Sequence, residues 1–175
     1  MTEDAEWAAQ EQAQLARLQS LVRPLLPRSV VETVEYLGDR DDQDGEVWEV
    51  TWTHPAETGL SFIIFVMSSY PPDWFWSWHL SQPPAGWHAG DPEGDEVVTE
   101  ARIVELLGAL ASGTLTVRTL RFGRLAMGND IAIVGKTGES VYLANRQSLV
   151  GRLMKVAGLA RETVTTYRNW QGVPS

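Results

Sequence analysis

Apolar residues recur along the chain with two periods, and the switches between them mark the elements. Over 5–22, Trp7, Leu15, Leu18 and Val22 fall near one helical stripe that continues to Leu25, with Glu11 its polar exception. Pro24 and Pro27 then stop the helix. SVVETVEYLG (29–38) reads as a strand, and the acidic stretch Asp39 to Gly45 as a loop ending in a turn-prone Asp-Gly pair. EVWEVTWTH alternates, with Trp48, Val50 and Trp52 on one face. After a turn at Pro55–Gly59, LSFIIFVMSS is the most apolar strand and predicts a central position covered on both faces. These three segments predict an antiparallel meander.

Pro71-Pro72 interrupts the pattern, and DWFWSWHL follows. In an extended chain its Trp74, Trp76 and Trp78 share one face. Pro83-Pro84 closes that element, and GWHAGDPEGD reads as loop. Residues 95–111 predict a second helix, capped by Asp95 and ended by Gly113. TLTVRTLRF, 126–134 and 140–144 read as strands, and 146–157 as a third helix followed by Gly158. Over 160–168 helix and strand both remain open. The order predicts an α+β fold: a single domain over 1–175 with a mostly antiparallel sheet packed by an N-terminal, a central and a C-terminal helix. The termini are expected to be flexible, and 146–170 to form a helical subregion.

Composition narrows the class. Hydrophobic residues make up 43% of the 175, enough for a core. The formal net charge of −9 disfavours nucleic acid phosphates and anionic membranes as partners. Cysteine is absent, which removes disulfides, thiolate ligands and thiol nucleophiles. MTEDAEW lacks the basic and apolar regions of a secretion signal, and FIIFVM is too short to span a bilayer. A cytoplasmic protein is expected.

The chemical motifs mostly resolve into turns. In NDIAIVGKTGES, the first glycine of a phosphate loop would fall on Asp130, and SVYLA after it reads as strand, so Gly135-Lys136-Thr137 predicts a hairpin connection. A calcium loop bent at Gly45 would put Arg40 at its first ligand position and Thr51 at its last, and both fail. His54, His79 and His88 form no tight ligand spacing, although His79, His88 and Asp91 could meet across the proline turn as zinc ligands, or His88 and Asp91 as an acid–base pair. Ser68, Ser69 and Ser77 lack a nucleophile elbow, and Glu46, Glu49 and Glu57 are too ordinary to argue hydrolysis. No catalytic residue, metal or cofactor is assigned.

The tryptophans are less ordinary. Four of the eight lie in one short region, as Trp74, Trp76, Trp78 and Trp87, beside Tyr70 and Phe75. Large rings with an N–H to satisfy are rarely sealed completely, so Tyr70, Trp74, Phe75, Trp76, Trp78 and Trp87 are expected to form an accessible surface for another protein or peptide. A second candidate lies in the tail. Over 150–170, helix, Gly158 and a further segment resemble a bacterial helix-turn-helix, with Met154 departing from its usual small residue. That resemblance implies DNA contacts from Arg161, Thr163, Thr165, Thr166 and Arg168. The order of elements resembles, in topology, the small α+β chaperones of type III secretion and their bacterial relatives. That resemblance implies an acidic, often dimeric protein that holds a partner polypeptide on exposed apolar surface. The reading is therefore a chaperone-like interaction module, with homodimerisation open and an enzyme disfavoured. The alternatives are a transcription regulator, a small hydrolase with an unrecognised site, and a sugar-binding module.

Overall fold

The structure, a computed structural model, describes residues 3–40, 45–69, 73–90, 97–135, 138–145 and 149–171. Two compact units divide the chain, Met1–Leu107 and Gly108–Ser175. The fold is α+β with three helices, as the sequence predicts, but the strands divide between two antiparallel sheets.

The first unit opens with α1 (Glu3–Val22). A five-strand meander follows: β1 (Val31–Arg40), β2 (Gly45–Thr53), β3 (Ser61–Ser69), β4 (Asp73–Gln82) and β5 (Trp87–Gly90), paired in sequence order. The registers stack the core in rows across the sheet. Val50, Ile64 and Trp78 form one row, and Trp52, Phe62, Leu80 and Ala89 the next. All of these are buried, together with Leu15, Leu18 and Val22 of α1. Trp52, Phe62 and Trp78 run ring against ring, with centroids 6.3 and 6.1 Å apart. Each such ring removes ~150–250 Å² from water, so this aromatic layer is a large apolar contribution to the core of the unit. β3 is central, with Phe62, Ile64 and Val66 sealed and Ile63 and Phe65 half-buried on the other face.

The division falls within α2 (Glu100–Ser112). Thr99 caps this helix, its Oγ1 accepting from the Arg102 N–H at 3.3 Å. The cap anticipated at Asp95 lies outside the described residues. The second unit holds β6 (Thr114–Phe122), β7 (Leu125–Val134), β8 (Ser140–Asn145), α3 (Leu149–Val156) and β9 (Arg161–Tyr167). Its sheet order is β8-β7-β6-β9. Leu115, Val117, Ile131 and Ile133 are buried on one face, with Leu110, Ala111, Tyr167 and Trp170 buried in the same unit. On the other face α3 meets the sheet through Gly151. A Cβ there would sit 3.2 Å from both Leu120 and Met127, so the helix lies close because no side chain intervenes.

Candidate functional site

The tryptophan segment forms the strand the alternation predicts, but its faces reverse the functional expectation. Trp76, Trp78 and Trp87 are only 6, 6 and 3% exposed. Trp76 and Trp78 lie in register with Val66 and Ile64, whose side chains form the sealed face. Trp7 of α1 rests against Trp74 with ring centroids 5.9 Å apart, and the Arg17 guanidinium lies 5.9 Å over Trp76. The aromatic cluster is thus buried core rather than an exposed surface. Trp74 and Phe75 are half-buried and, with Gln14, Arg17, Val97 and Val98, line a shallow hollow of about 220 Å³. Tyr70 lies outside the described residues.

A larger groove, about 520 Å³, lies beyond the end of α1, lined by Arg23, Leu26, Pro27, Arg28, Val30, Glu32 and Trp52. Glu32 is fixed there. Its carboxylate accepts from Trp52 Nε1 at 2.9 Å and Gln19 Nε2 at 2.6 Å, with the Arg23 guanidinium 3.9 Å away. This satisfies the indole N–H of a ring that is otherwise sealed.

The histidines take ordinary places. His54 is buried, and its Nδ1 accepts from the Ala56 and Glu57 N–H groups at 3.1 and 2.9 Å, which holds the β2–β3 turn. His79 and His88 do come together, on neighbouring strands β4 and β5, with rings 5.5 Å apart. Asp91 lies outside the described residues. Among the described residues no group of three His, Cys, Asp or Glu gathers in metal-binding geometry. Neither described hollow is lined by His79 or His88. Among the described residues the ring pair that stacks, Phe62 on Trp78 at 22°, lies in the core and not along a sugar-binding groove.

The helix-turn-helix expectation is overturned. Residues 161–167 are β9, antiparallel to β6 from Arg121↔Arg161 to Leu115↔Tyr167. Arg161, Thr163, Thr165 and Thr166 therefore lie on a sheet edge rather than a recognition helix, and Arg168 follows the strand. Gly158, at φ +71°, closes α3 instead of turning into a second helix, and the Leu159 N–H reaches back to the Met154 carbonyl at 2.9 Å. The β-branched run after it then completes the open side of β6. Gly135 and Gly138 belong to the β7–β8 connection, where the Gly135 N–H donates to the Glu139 carbonyl at 2.8 Å. Lys136 and Thr137 lie outside the described residues, as do Asp41 to Asp44 of the acidic loop.

The feature the sequence did not announce is the outward face of α3, a helix it did place over 146–157. Three of its apolar residues face water: Val150, Leu153 and Val156 are 55, 62 and 88% exposed, and Leu159 after them is 60% exposed. Arg152 and Lys155 lie on the same short helix, both exposed. Lys155 and Arg118 pair with Glu162 of β9. The surroundings are cationic. Residues 108–175 hold nine of the fourteen Lys and Arg but three of the twenty-three Asp and Glu, a formal charge of +6. Residues 1–107 hold the remaining five and twenty, a formal charge of −15. The spacing of 150, 153 and 156 was visible in the sequence. Which side of that stripe the sheet would take was not, because it depends on Gly151.

Comparison with protein-family models, with curated proteins and with solved structures finds no match. No helix among the described residues is long and apolar enough to cross a membrane.

Proposed function

We propose that the chain is a polypeptide-binding module whose docking face is the outward ridge of α3. The observation that carries this reading is the orientation of that helix. An amphipathic helix of a folded domain ordinarily buries its apolar stripe. Here a glycine takes the inner position while Val150, Leu153 and Val156 point outward. Burying one such side chain against a partner contributes ~1.5–3 kcal/mol. Arg152, Lys155 and the +6 charge of the unit favour a partner segment that is apolar on one face and acidic on its flanks. This docking face replaces the tryptophan surface, whose central rings already serve the fold.

The test uses synthetic amphipathic peptides with glutamate flanks, and the same peptides with lysine flanks. Binding of the acidic set, weakened by salt, is expected. Leu153→Asp should reduce it by roughly tenfold or more, since ~1.4 kcal/mol corresponds to tenfold in affinity. Equal binding of both sets, or indifference to Leu153→Asp, overturns the reading.

A further inference from the structure

An unpaired sheet edge is a template for another strand, and folded proteins blunt such edges with bulges, charge or brevity. Among the described residues, three of the four edge strands are treated in these ways. β1 carries Glu32 and Glu35 and shifts register at Gly38. β5 has four described residues. β8 meets β7 with a register shift between Ile131 and Ala132. β9 has none of these features along most of its length. Its seven residues pair with β6 without interruption, contain no glycine or proline, and are exposed from Arg161 through Thr166. Its charges are confined to the first two positions.

We propose that β9 is a strand-addition edge that takes β9 of a second copy, antiparallel about a twofold axis through Val164. This register is the one that pairs all seven residues. It sets Arg161 opposite Tyr167 of the second copy, Glu162 opposite Thr166, Thr163 opposite Thr165, and Val164 opposite its own counterpart. No like charges face each other, and the threonine and valine pairs are favourable cross-strand neighbours. Within one chain Arg161 lies opposite Arg121, and neither side chain has an acidic partner among the described residues. Pairing with the second copy sets Arg161 opposite the uncharged Tyr167, so no second cation faces it across the new pair.

The assembly is an eight-stranded antiparallel sheet. Its axis stands perpendicular to the sheet, so both α3 helices fall on one face. Two docking ridges would then be offered to the same side, which favours a partner with two binding segments. The strand pairing does not depend on that docking reading. A seven-residue edge is a small interface, so the dimer should form in the micromolar range rather than be obligate.

The chain has no cysteine, which makes the test direct. Opposed residues in an antiparallel pair lie ~4.5 or ~5.5 Å apart at Cα, within the span a disulfide accepts. Val164→Cys should therefore oxidise to a linked dimer far faster than Val150→Cys on α3. Sedimentation of the full wild-type chain should show 19.5 kDa rising toward twice that mass with concentration. Val164→Lys, at a position already 54% exposed, should fold normally and remain monomeric. A wild-type chain that stays monomeric overturns the proposal. So do equal oxidation rates at 150 and 164, and a doubled mass that survives Val164→Lys. The Val164→Lys monomer should still bind the acidic peptides. Loss of dimer with peptide binding retained, or the reverse, separates this proposal from the docking reading.

Discussion

Glu32 shows how much one side chain can hold. It joins α1, β1 and β2 through Gln19 and the Trp52 indole, with the Arg23 guanidinium nearby. Glu32→Ala leaves a sealed indole N–H without its acceptor, which costs about 1–3 kcal/mol. Glu32→Gln keeps a carbonyl oxygen in place and should lose less. Urea unfolding midpoints of the two variants check the order. At this scale the sequence was legible in part. The alternation that placed Trp74, Trp76 and Trp78 on one face was correct, since those positions pair in step with Ser68, Val66 and Ile64. That Trp76 and Trp78 on this face would be sealed was not legible, because it depends on which side of the sheet α1 covers. Local spacing does not carry that choice.

At the scale of elements, the helix over 5–22 and the first four strands of the meander were read close to their observed limits, since each has a strong period and a proline, glycine or acidic turn beside it, whereas the helix read over 95–111 begins only at Glu100 and Trp87–Gly90, read as loop, is β5. The segment 160–168 was ambiguous because Thr163, Val164, Thr165 and Thr166 tolerate a short helix and favour a strand only when a neighbour has an open side. β6 supplies that neighbour. The pairing of α3 with β9 gives a pH signature. The Lys155 ammonium, hydrogen-bonded to Glu162, holds its carboxyl below the ordinary carboxylate range, with Arg118 adding to the effect and slight desolvation opposing it. A lowered carboxyl stabilises the fold above its unfolded pKa, and that contribution disappears as pH falls through the folded value. Glu162→Gln should therefore lower the melting temperature slightly at neutral pH and make no difference in strong acid. The pair is exposed, so the loss at neutral pH should lie within ~0.2–1 kcal/mol. Thermal scans across the acidic range would show the two curves converge.

At the scale of the whole chain, the net charge of −9 concealed a division into −15 and +6. Every residue behind those sums is in the sequence, but the sums require a boundary. That boundary falls inside a continuous helix, where no proline, glycine run or change of period announces it. The tryptophans divide as unevenly. Seven precede Leu107, and Trp170, 1% exposed, is the one that follows. Ultraviolet-excited emission therefore reports mainly on the first unit. Trp170→Phe makes that report complete, while far-ultraviolet circular dichroism still registers the strands of both. If the units melt separately, the two signals should part during denaturation of that variant, and coincident curves would mean that they melt together.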